Sequence, residues 1–130
     1  MAGLIETMGI SASGMSSQSE RLRHVSENVA NADTPGYRRK IISFEAAVKD
    51  GESTGKVQTG SVKLDPSVLE RVFDPAHPLA DDSGHYDGSN VDLVLELADA
   101  REAQRSYEAN LKLFDQARQM STKLLELLRR

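Results

Sequence analysis

The sequence predicts a mainly α-helical fold, in which long N- and C-terminal helices pack as an antiparallel, coiled-coil-like pair and flank a loop-rich middle segment carrying a little β-structure. Apolar side chains recur at steps of three and four in both end segments, which is the spacing of one helix face. Most of the glycines and all of the prolines lie between these segments. We therefore divide the chain into an N-terminal helix at 1–31, a loop and β-hairpin insert at 32–90, and a C-terminal helix at 91–130.

The first helix is predicted from a row of eight positions at alternating steps of four and three, six of them apolar. The row comprises Leu4, Met8, Ser11, Met15, Gln18, Leu22, Val25 and Val29. Several serines and Gly14 interrupt this helix, and glycine costs about 1 kcal/mol relative to alanine in a helix interior. The helix should therefore depend on a partner for its stability, and Gly14 would let another backbone come close.

The segment after this helix is predicted from its turn residues. The helix is expected to end near Asn31, because asparagine tolerates the left-handed conformation of a helix C-cap. Pro35 and Gly36 suit the two central positions of a type II turn. Residues 37–48 favour a short strand or an extended arm. Alternation around Gly60 predicts one hairpin, with strands at 56–59 and 61–64.

The C-terminal helix is predicted from about 40 residues that contain neither glycine nor proline. Asp92, alone or paired with Ser89, is the expected N-cap. The apolar row of this helix comprises Leu93, Leu97, Ala100, Ala103, Tyr107, Leu111, Phe114, Ala117, Met120, Leu124 and Leu128. At about 1.5 Å per residue both helices are longer than a globule of this size is wide, so we expect neighbouring chains to cover part of their apolar faces. The alternative is an ordinary helical domain with a solvated, charged surface.

The composition excludes several classes of function. No cysteine is present, which excludes disulfides, cysteine-based zinc sites and thiol catalysis. The net charge is −4 and the longest basic block is residues 38–40, so we expect no nucleic-acid binding and assign these three cations to contacts with another subunit. No catalytic or phosphate-binding motif occurs, and we expect no enzyme activity, no cofactor and no small-molecule substrate.

The histidines and the chain start give further negative expectations. His77 and His85 lie among several aspartates, but their spacing matches no zinc or calcium motif, so no metal site is predicted. His24 lies one residue from the apolar row and is expected at the surface. The chain start lacks the features of a cleaved secretory signal, and no apolar run is long enough to span a membrane.

Residues 26–37, Ser-Glu-Asn-Val-Ala-Asn-Ala-Asp-Thr-Pro-Gly-Tyr, resemble the N-terminal signature of the axial proteins of the bacterial flagellum, the rod, hook and hook-associated family. Residues 105–110, Arg-Ser-Tyr-Glu-Ala-Asn, resemble the C-terminal helix of that family. The signature positions are Asn28, Asn31, Thr34, Gly36, Tyr37, Ser106, Tyr107, Ala109 and Asn110. The chain length and residues 74–92 resemble proximal rod members of the FlgC type, whereas the short link at 33–36 resembles the sibling FlgB type.

The resemblance implies a structural subunit of the proximal rod, located in the periplasmic part of the basal body and exported by the flagellar type III apparatus without a cleaved signal. Its implied partners are other copies of itself, other rod proteins, the membrane ring base and the export apparatus. The expected assembly interface comprises Leu4, Met8, Met15, Leu22, Val25, Val29, Leu97, Tyr107, Leu111, Phe114, Met120, Leu124 and Leu128. A soluble helical coiled-coil adaptor unrelated to flagella is the alternative from another class.

Overall fold

The computed structural model describes residues 2–129, which form two long helices and six short strands. The helices are α1 (Ala2–Ala30) and α2 (Leu93–Leu128). The strands are β1 (Lys40–Ile41), β2 (Phe44–Lys49), β3 (Glu52–Thr59), β4 (Lys63–Leu64), β5 (Arg71–Phe73) and β6 (His85–Asp87). Within this range, neither helix has a stretch apolar enough and long enough to cross a membrane.

Helices α1 and α2 pack side by side in opposite directions, which confirms the predicted fold class. Asn28, near the end of α1, contacts Glu96, near the start of α2, and Gly14 faces Asn110 farther along α2. Each step toward the N-terminus of α1 is thus matched by a step toward the C-terminus of α2, and this register places the start of α1 opposite Thr122. Helix α2 continues beyond that point through residues 123–128, which span about 9 Å.

The contact between the two helices, here called the seam, is built from small and polar side chains. On α2 the seam positions recur every seven residues and are Glu96, Ala103, Asn110 and Ala117. The buried residues of α1 are Ser11, Gly14, Ser17, His24, Val25 and Asn28. Residues with little side chain let two helix backbones approach closely. The close packing against α2 therefore explains why α1 contains several residues that are weak helix formers. The sequence predicted that α1 would need such a partner.

The end of α1 and the turn that follows confirm the sequence prediction. α1 ends at Ala30, next to the predicted Asn31. The Tyr37 backbone N–H donates to the Thr34 carbonyl at 3.2 Å, and Gly36 has φ 74°. A positive φ at the third residue of a four-residue turn is the mark of type II, and it favours glycine at that position.

The start of α2 is capped by Asp92 alone. Its carboxylate accepts a hydrogen bond from the backbone N–H of Val94 at 3.0 Å. The buried Ser89, the other predicted capping residue, instead donates its hydroxyl to the carbonyl of Ala32. Ser89 thereby ties the segment before α2 to the segment after α1.

The strands form three two-stranded antiparallel sheets, β1 with β4, β2 with β3, and β5 with β6. The hairpin predicted around Gly60 is wrong, because the strands on its two sides pair with different partners. The true hairpin joins β2 to β3 through Asp50 and Gly51, which both have positive φ. The Gly60 N–H donates to the Ser43 carbonyl at 2.8 Å and prolongs that hairpin.

The β2–β3 hairpin lies along one flank of α1. The backbone N–H of Val57 donates to the Ser13 hydroxyl at 3.1 Å, and the Thr59 hydroxyl donates to the Glu20 carboxylate. Gly55 in β3 lies against the side chain of Ile10. The insert therefore covers one side of the helix pair and leaves the other side open.

Candidate assembly site

A buried polar cluster, here called the junction, joins α1, α2 and the insert. At its centre is the Asn28 side chain, since the residue is only 1% exposed. Its Oδ1 accepts from the Tyr37 hydroxyl and from the Lys40 backbone N–H, both at 2.8 Å. Its Nδ2 donates to the Lys40 carbonyl at 3.0 Å and to the Glu96 carboxylate at 3.3 Å. The amide thus uses both its donors and its acceptor, which explains why asparagine suits this signature position.

Glu96 places a carboxylate in the interior of the junction, where its side chain is 0% exposed. A buried charge is costly unless it is paired, and here Arg39 Nε donates to Glu96 Oε1 at 2.7 Å. The other two guanidinium nitrogens donate to Asp65 and Asp99, each at 3.3 Å. One arginine therefore fixes the insert to the first turns of α2.

Asn90 completes the junction just before α2 begins. Its Oδ1 accepts from the Arg39 backbone N–H at 2.7 Å, and its Nδ2 donates to the Asp65 carbonyl at 2.9 Å. The Asp65 backbone N–H donates in turn to the Arg39 carbonyl at 2.9 Å. The start of α2, the segment around β1 and the segment after β4 are thus held by one set of hydrogen bonds.

The electrostatics of the junction favour its ion pairs. Burial alone would lower the pKa of Arg39, but hydrogen bonding and charge from Glu96 hold that pKa above its ordinary value. The hydrogen bond from Lys40 Nζ at 2.7 Å lowers the pKa of Glu27, and the same bond raises the pKa of Lys40. Burial raises the pKa of Tyr37, so its hydroxyl keeps the proton that it donates to Asn28. Near neutral pH the Arg39 guanidinium and the Lys40–Glu27 ion pair are therefore charged.

The cations at 38–40, which we expected to contact another subunit, are engaged within the chain. Arg38 donates to the carbonyls of Asp65 and Ser67, at 3.2 and 2.9 Å. Arg39 and Lys40 pair with acidic side chains of the junction. The sequence does not show that acidic residues far along the chain fold next to this block, so these partners within the chain were not predicted. A contact of the block with another subunit stays a prediction.

His24 is 5% exposed, so the expected surface position is wrong. Its Nδ1 lies 3.7 Å from Glu27 Oε2, which is beyond hydrogen-bond distance. The ring lines a cavity of about 310 Å³ between α1, the segment around β1 and the first turns of α2. Within residues 2–129, no group of three or more His, Asp, Glu or Cys side chains is placed to hold a metal ion.

The predicted apolar row of α2 does not stay on one side of the helix. Ala103 and Ala117 lie in the seam, and Phe114 is half-buried beside them. Five members of the row are turned partly outward: Leu93 (56% exposed), Leu97 (55%), Tyr107 (36%), Leu111 (41%) and Met120 (56%). A step of four exceeds the 3.6-residue helical repeat and a step of three falls short of it, so the row moves to one side of the helix where steps of four repeat and to the other where steps of three repeat. Leu124 and Leu128 lie beyond the start of α1.

One flank of the helix pair, here called the open face, carries apolar side chains that the insert does not cover. It comprises Leu22 and Val29 of α1 with Leu97, Tyr107 and Leu111 of α2, and the buried Val25 lies beneath it. Leu22 lies nine residues from Ser13, so it projects on the side of α1 opposite to the β2–β3 hairpin. Two grooves run between the helices here, of about 570 and 400 Å³. Leu4, Met8 and Met15 of the expected interface are half-buried on α1.

The C-terminal signature residues divide between the seam and the surface. Asn110 lies in the seam, where a Cβ added to Gly14 would come within 2.8 Å of its side-chain atoms. Asn110 Nδ2 donates to the Ser106 carbonyl at 2.9 Å, which holds the side chain in place. Tyr107 and Ala109 are exposed. The signature thus combines positions that close the helix pair with positions left outside it.

The comparisons with known proteins agree with this geometry. A family model described as "Flagella basal body rod protein" matches residues 8–38, which cover most of α1 and the turn. Another, described as "Flagellar basal body rod FlgEFG protein C-terminal", matches residues 82–127 and so most of α2. Both matches fall on the terminal helices and the segments beside them, and both are to models of flagellar basal-body rod proteins. The class indicated for this chain is therefore that of the flagellar basal-body rod proteins.

Similar curated proteins identify the branch of that class. A protein named flagellar basal-body rod protein FlgC from Agrobacterium fabrum is 39% identical over 127 residues, covering 92% of this chain and 91% of the relative. Proteins of the same name from Yersinia enterocolitica and Salmonella typhimurium are 35% and 34% identical, each covering 95% of this chain and 97% of the relative. The chain belongs to the FlgC family of flagellar basal-body rod proteins, which decides between the FlgC and FlgB types.

Proposed function

We propose that this chain is a structural subunit of the proximal flagellar rod that assembles by packing the open face and the exposed end of α2 against neighbouring subunits. The observation that carries the proposal is that small and large apolar residues of α2 lie on different parts of its surface. Small residues such as Ala103 and Ala117 close the pair, whereas large apolar residues such as Leu97 and Leu111 remain exposed. Large apolar side chains that are grouped into one patch at the surface of a folded chain are typical of a protein interface.

The junction supports the same role mechanically. It fastens the insert to both helices through Asn28, Arg39 and Glu96, so torque applied to the helices would be transmitted to the insert. Because these polar groups are buried and mutually satisfied, the junction resists rearrangement. In the assembled rod the helices would line the wall and the insert would form an outer layer or a bracket between subunits.

The partners follow from this role. We propose contacts with other copies of this chain, with other rod proteins and with the membrane ring base, in the periplasmic part of the basal body. Delivery would be by the flagellar type III export apparatus without a cleaved signal. Support comes from the relatives named as basal-body rod proteins. The role involves no catalysis, cofactor, nucleic acid or small-molecule substrate.

Electron microscopy of basal bodies purified from a strain that lacks the gene tests the proposal. We expect an intact membrane ring without a rod above it, a non-motile strain, and recovery of both properties when the gene is restored. A helical adaptor unrelated to flagella would leave rods in normal number. Complete rods in the deletion strain would therefore contradict the proposed function.

A further inference from the structure

His24 is a buried polar side chain to which no described residue gives a hydrogen bond. The residue is 5% exposed, and both of its ring nitrogens are buried without a hydrogen-bond partner. The Glu27 carboxylate lies 3.7 Å from Nδ1, too far for a direct hydrogen bond, and it already accepts from Lys40 at 2.7 Å. Buried polar atoms of folded proteins are nearly always bonded to protein or to ordered water, so the ring needs a partner that the described residues do not supply.

The cavity beside the ring has room for such a partner. Its volume of about 310 Å³ is far above the roughly 10–15 Å³ that a cavity needs to hold one water molecule. Three cations and three acids line it, so the charged lining is balanced. These six side chains are Arg21, Arg39, Lys40, Glu96, Asp99 and Glu102.

The charged groups of the lining are already paired with acidic or basic side chains of the chain itself. Arg21 Nη2 donates to Asp99 Oδ1 and to Glu102 Oε2, each at 3.2 Å. Arg39 and Lys40 are engaged in the ion pairs of the junction. An ion that entered the cavity would compete with these pairs, whereas an uncharged ligand would leave them intact. The lining therefore favours a neutral ligand that forms hydrogen bonds.

We infer that the cavity is a water-binding site, in which ordered water is hydrogen-bonded to both ring nitrogens of His24. A neutral imidazole has one donor and one acceptor nitrogen, and water can accept from the first and donate to the second, whichever tautomer is present. Asp99 accepts one bond at each oxygen, although a carboxylate can accept about four. It can therefore supply a further hydrogen bond of the kind that a buried water makes.

The water links the insert to the helix pair across this part of their contact. The insert lines the cavity with Ile41, Ile42 and Phe44, whose side chains offer His24 no hydrogen bond. Water that bridges two polar groups contributes nearly as much enthalpy as a direct hydrogen bond. The inference goes beyond the rod role, because it concerns the single chain and does not depend on assembly.

NMR of the full-length chain in solution tests the inference. Cross-peaks between water and the carbon-bound protons of the His24 ring are recorded in the laboratory frame and in the rotating frame. Water that stays bound longer than surface water gives cross-peaks of opposite sign in the two experiments. We expect this pair of signals at His24. We expect none at the ring of His77, which lies in an exposed loop and whose Nδ1 already accepts from the Leu79 backbone N–H at 3.1 Å.

Two substitutions distinguish water held by the ring from water that only fills the cavity. His24→Phe keeps a ring but removes both nitrogens, and the cross-peaks at position 24 should be lost. His24→Gln keeps a donor and an acceptor, and the cross-peaks should be retained. Circular dichroism would verify that both variants keep their helices.

The inference is overturned if the His24 ring gives no pair of opposite-sign cross-peaks, or if the pair is as strong in His24→Phe as in His24→Gln. If His24→Phe loses its helices, a high-resolution crystal structure of the natural chain decides. A water oxygen within about 3.2 Å of each ring nitrogen would support the site. A protein atom or an ion at that distance, or a ring nitrogen without any contact, would contradict it.

Discussion

Replacing Arg39 by methionine tests whether the junction holds the insert to the helix pair. The substitution keeps a long apolar side chain but leaves the Glu96 carboxylate, which is 0% exposed, without its 2.7 Å charged partner. Removing one partner of a buried ion pair costs about 3–5 kcal/mol. The Asn28 amide still donates to Glu96 at 3.3 Å, so we take the lower end, about 3 kcal/mol. This loss corresponds to about a hundredfold change in the folding equilibrium.

Urea unfolding, monitored by the circular dichroism signal of the helices, measures this loss. The midpoint urea concentration should fall, while the dependence of the free energy of unfolding on urea concentration stays the same. A second variant, Arg39→Met with Glu96→Leu, removes both charges and should recover most of the lost free energy, because an apolar pair can replace a buried ion pair. Arg101→Met is the control, since Arg101 is exposed on α2 and should stay within about 0.5 kcal/mol of the natural chain. A single variant as stable as the natural chain, or a double variant no better than the single, would refute the reasoning.

Three further predictions concern the seam, the cap and the response to acid. Gly14→Val should lower the free energy of unfolding by about 1–3 kcal/mol, because its Cβ would lie 2.8 Å from the Asn110 side chain, as urea unfolding would show. Asp92→Ala should cost about 1 kcal/mol by removing the N-cap of α2, measured in the same way. The pKa of Glu27 is lowered by its hydrogen bond from Lys40, and the pKa of Asp65 is lowered by the hydrogen bond from a backbone N–H. The contribution of these two carboxylates to the free energy of unfolding is therefore fully present above their ordinary pKa values of 4.5 and 3.8, and it is lost as pH falls below them. Unfolding curves recorded over a series of pH values would measure this loss.

Each of these predictions has its own control. Gly3 has no neighbour within 4 Å of an added Cβ, so Gly3→Ala should be neutral or slightly stabilising; equal losses at Gly3 and Gly14 would count against close packing in the seam. Asp92→Asn keeps a capping oxygen and should retain most of the stability lost in Asp92→Ala. A free energy of unfolding that rises as the solution is acidified below pH 4.5 would contradict the assignment of Glu27 and Asp65.

Local chemistry predicted the end of α1, the start of α2 and the turn between α1 and the insert. The type II turn depends only on Pro35 and Gly36, and the N-cap depends only on Asp92 and the next two residues. The Asp50-Gly51 dipeptide is a further local sign of a hairpin, and it is a stronger one than the alternation around Gly60. Local patterns of this kind show where strands and turns form, but strand partners depend on contacts between distant segments.

The junction and the division of the apolar residues could not be predicted in the same way. Glu96 stands at a seven-residue spacing from Ala103, but nothing near it in the sequence shows that Arg39 will be its partner. Periodicity likewise shows that α2 has an apolar row without showing which members face α1. The helices approach most closely where small residues such as Gly14 lie between them. These positions therefore form the seam, and Leu111 lies outside it.

The central claim, that the open face is an assembly interface, is tested most directly by Leu111→Asp. Leu111 is already 41% exposed, so the isolated variant should keep its helices and unfold within about 1 kcal/mol of the natural chain. Burying the new carboxylate against a neighbouring subunit would cost several kcal/mol, so basal bodies from a strain carrying it should lack rods. Gln116→Asp adds the same charge at an exposed position outside the open face and should leave rods intact. Normal rods and full motility with Leu111→Asp would contradict the claim.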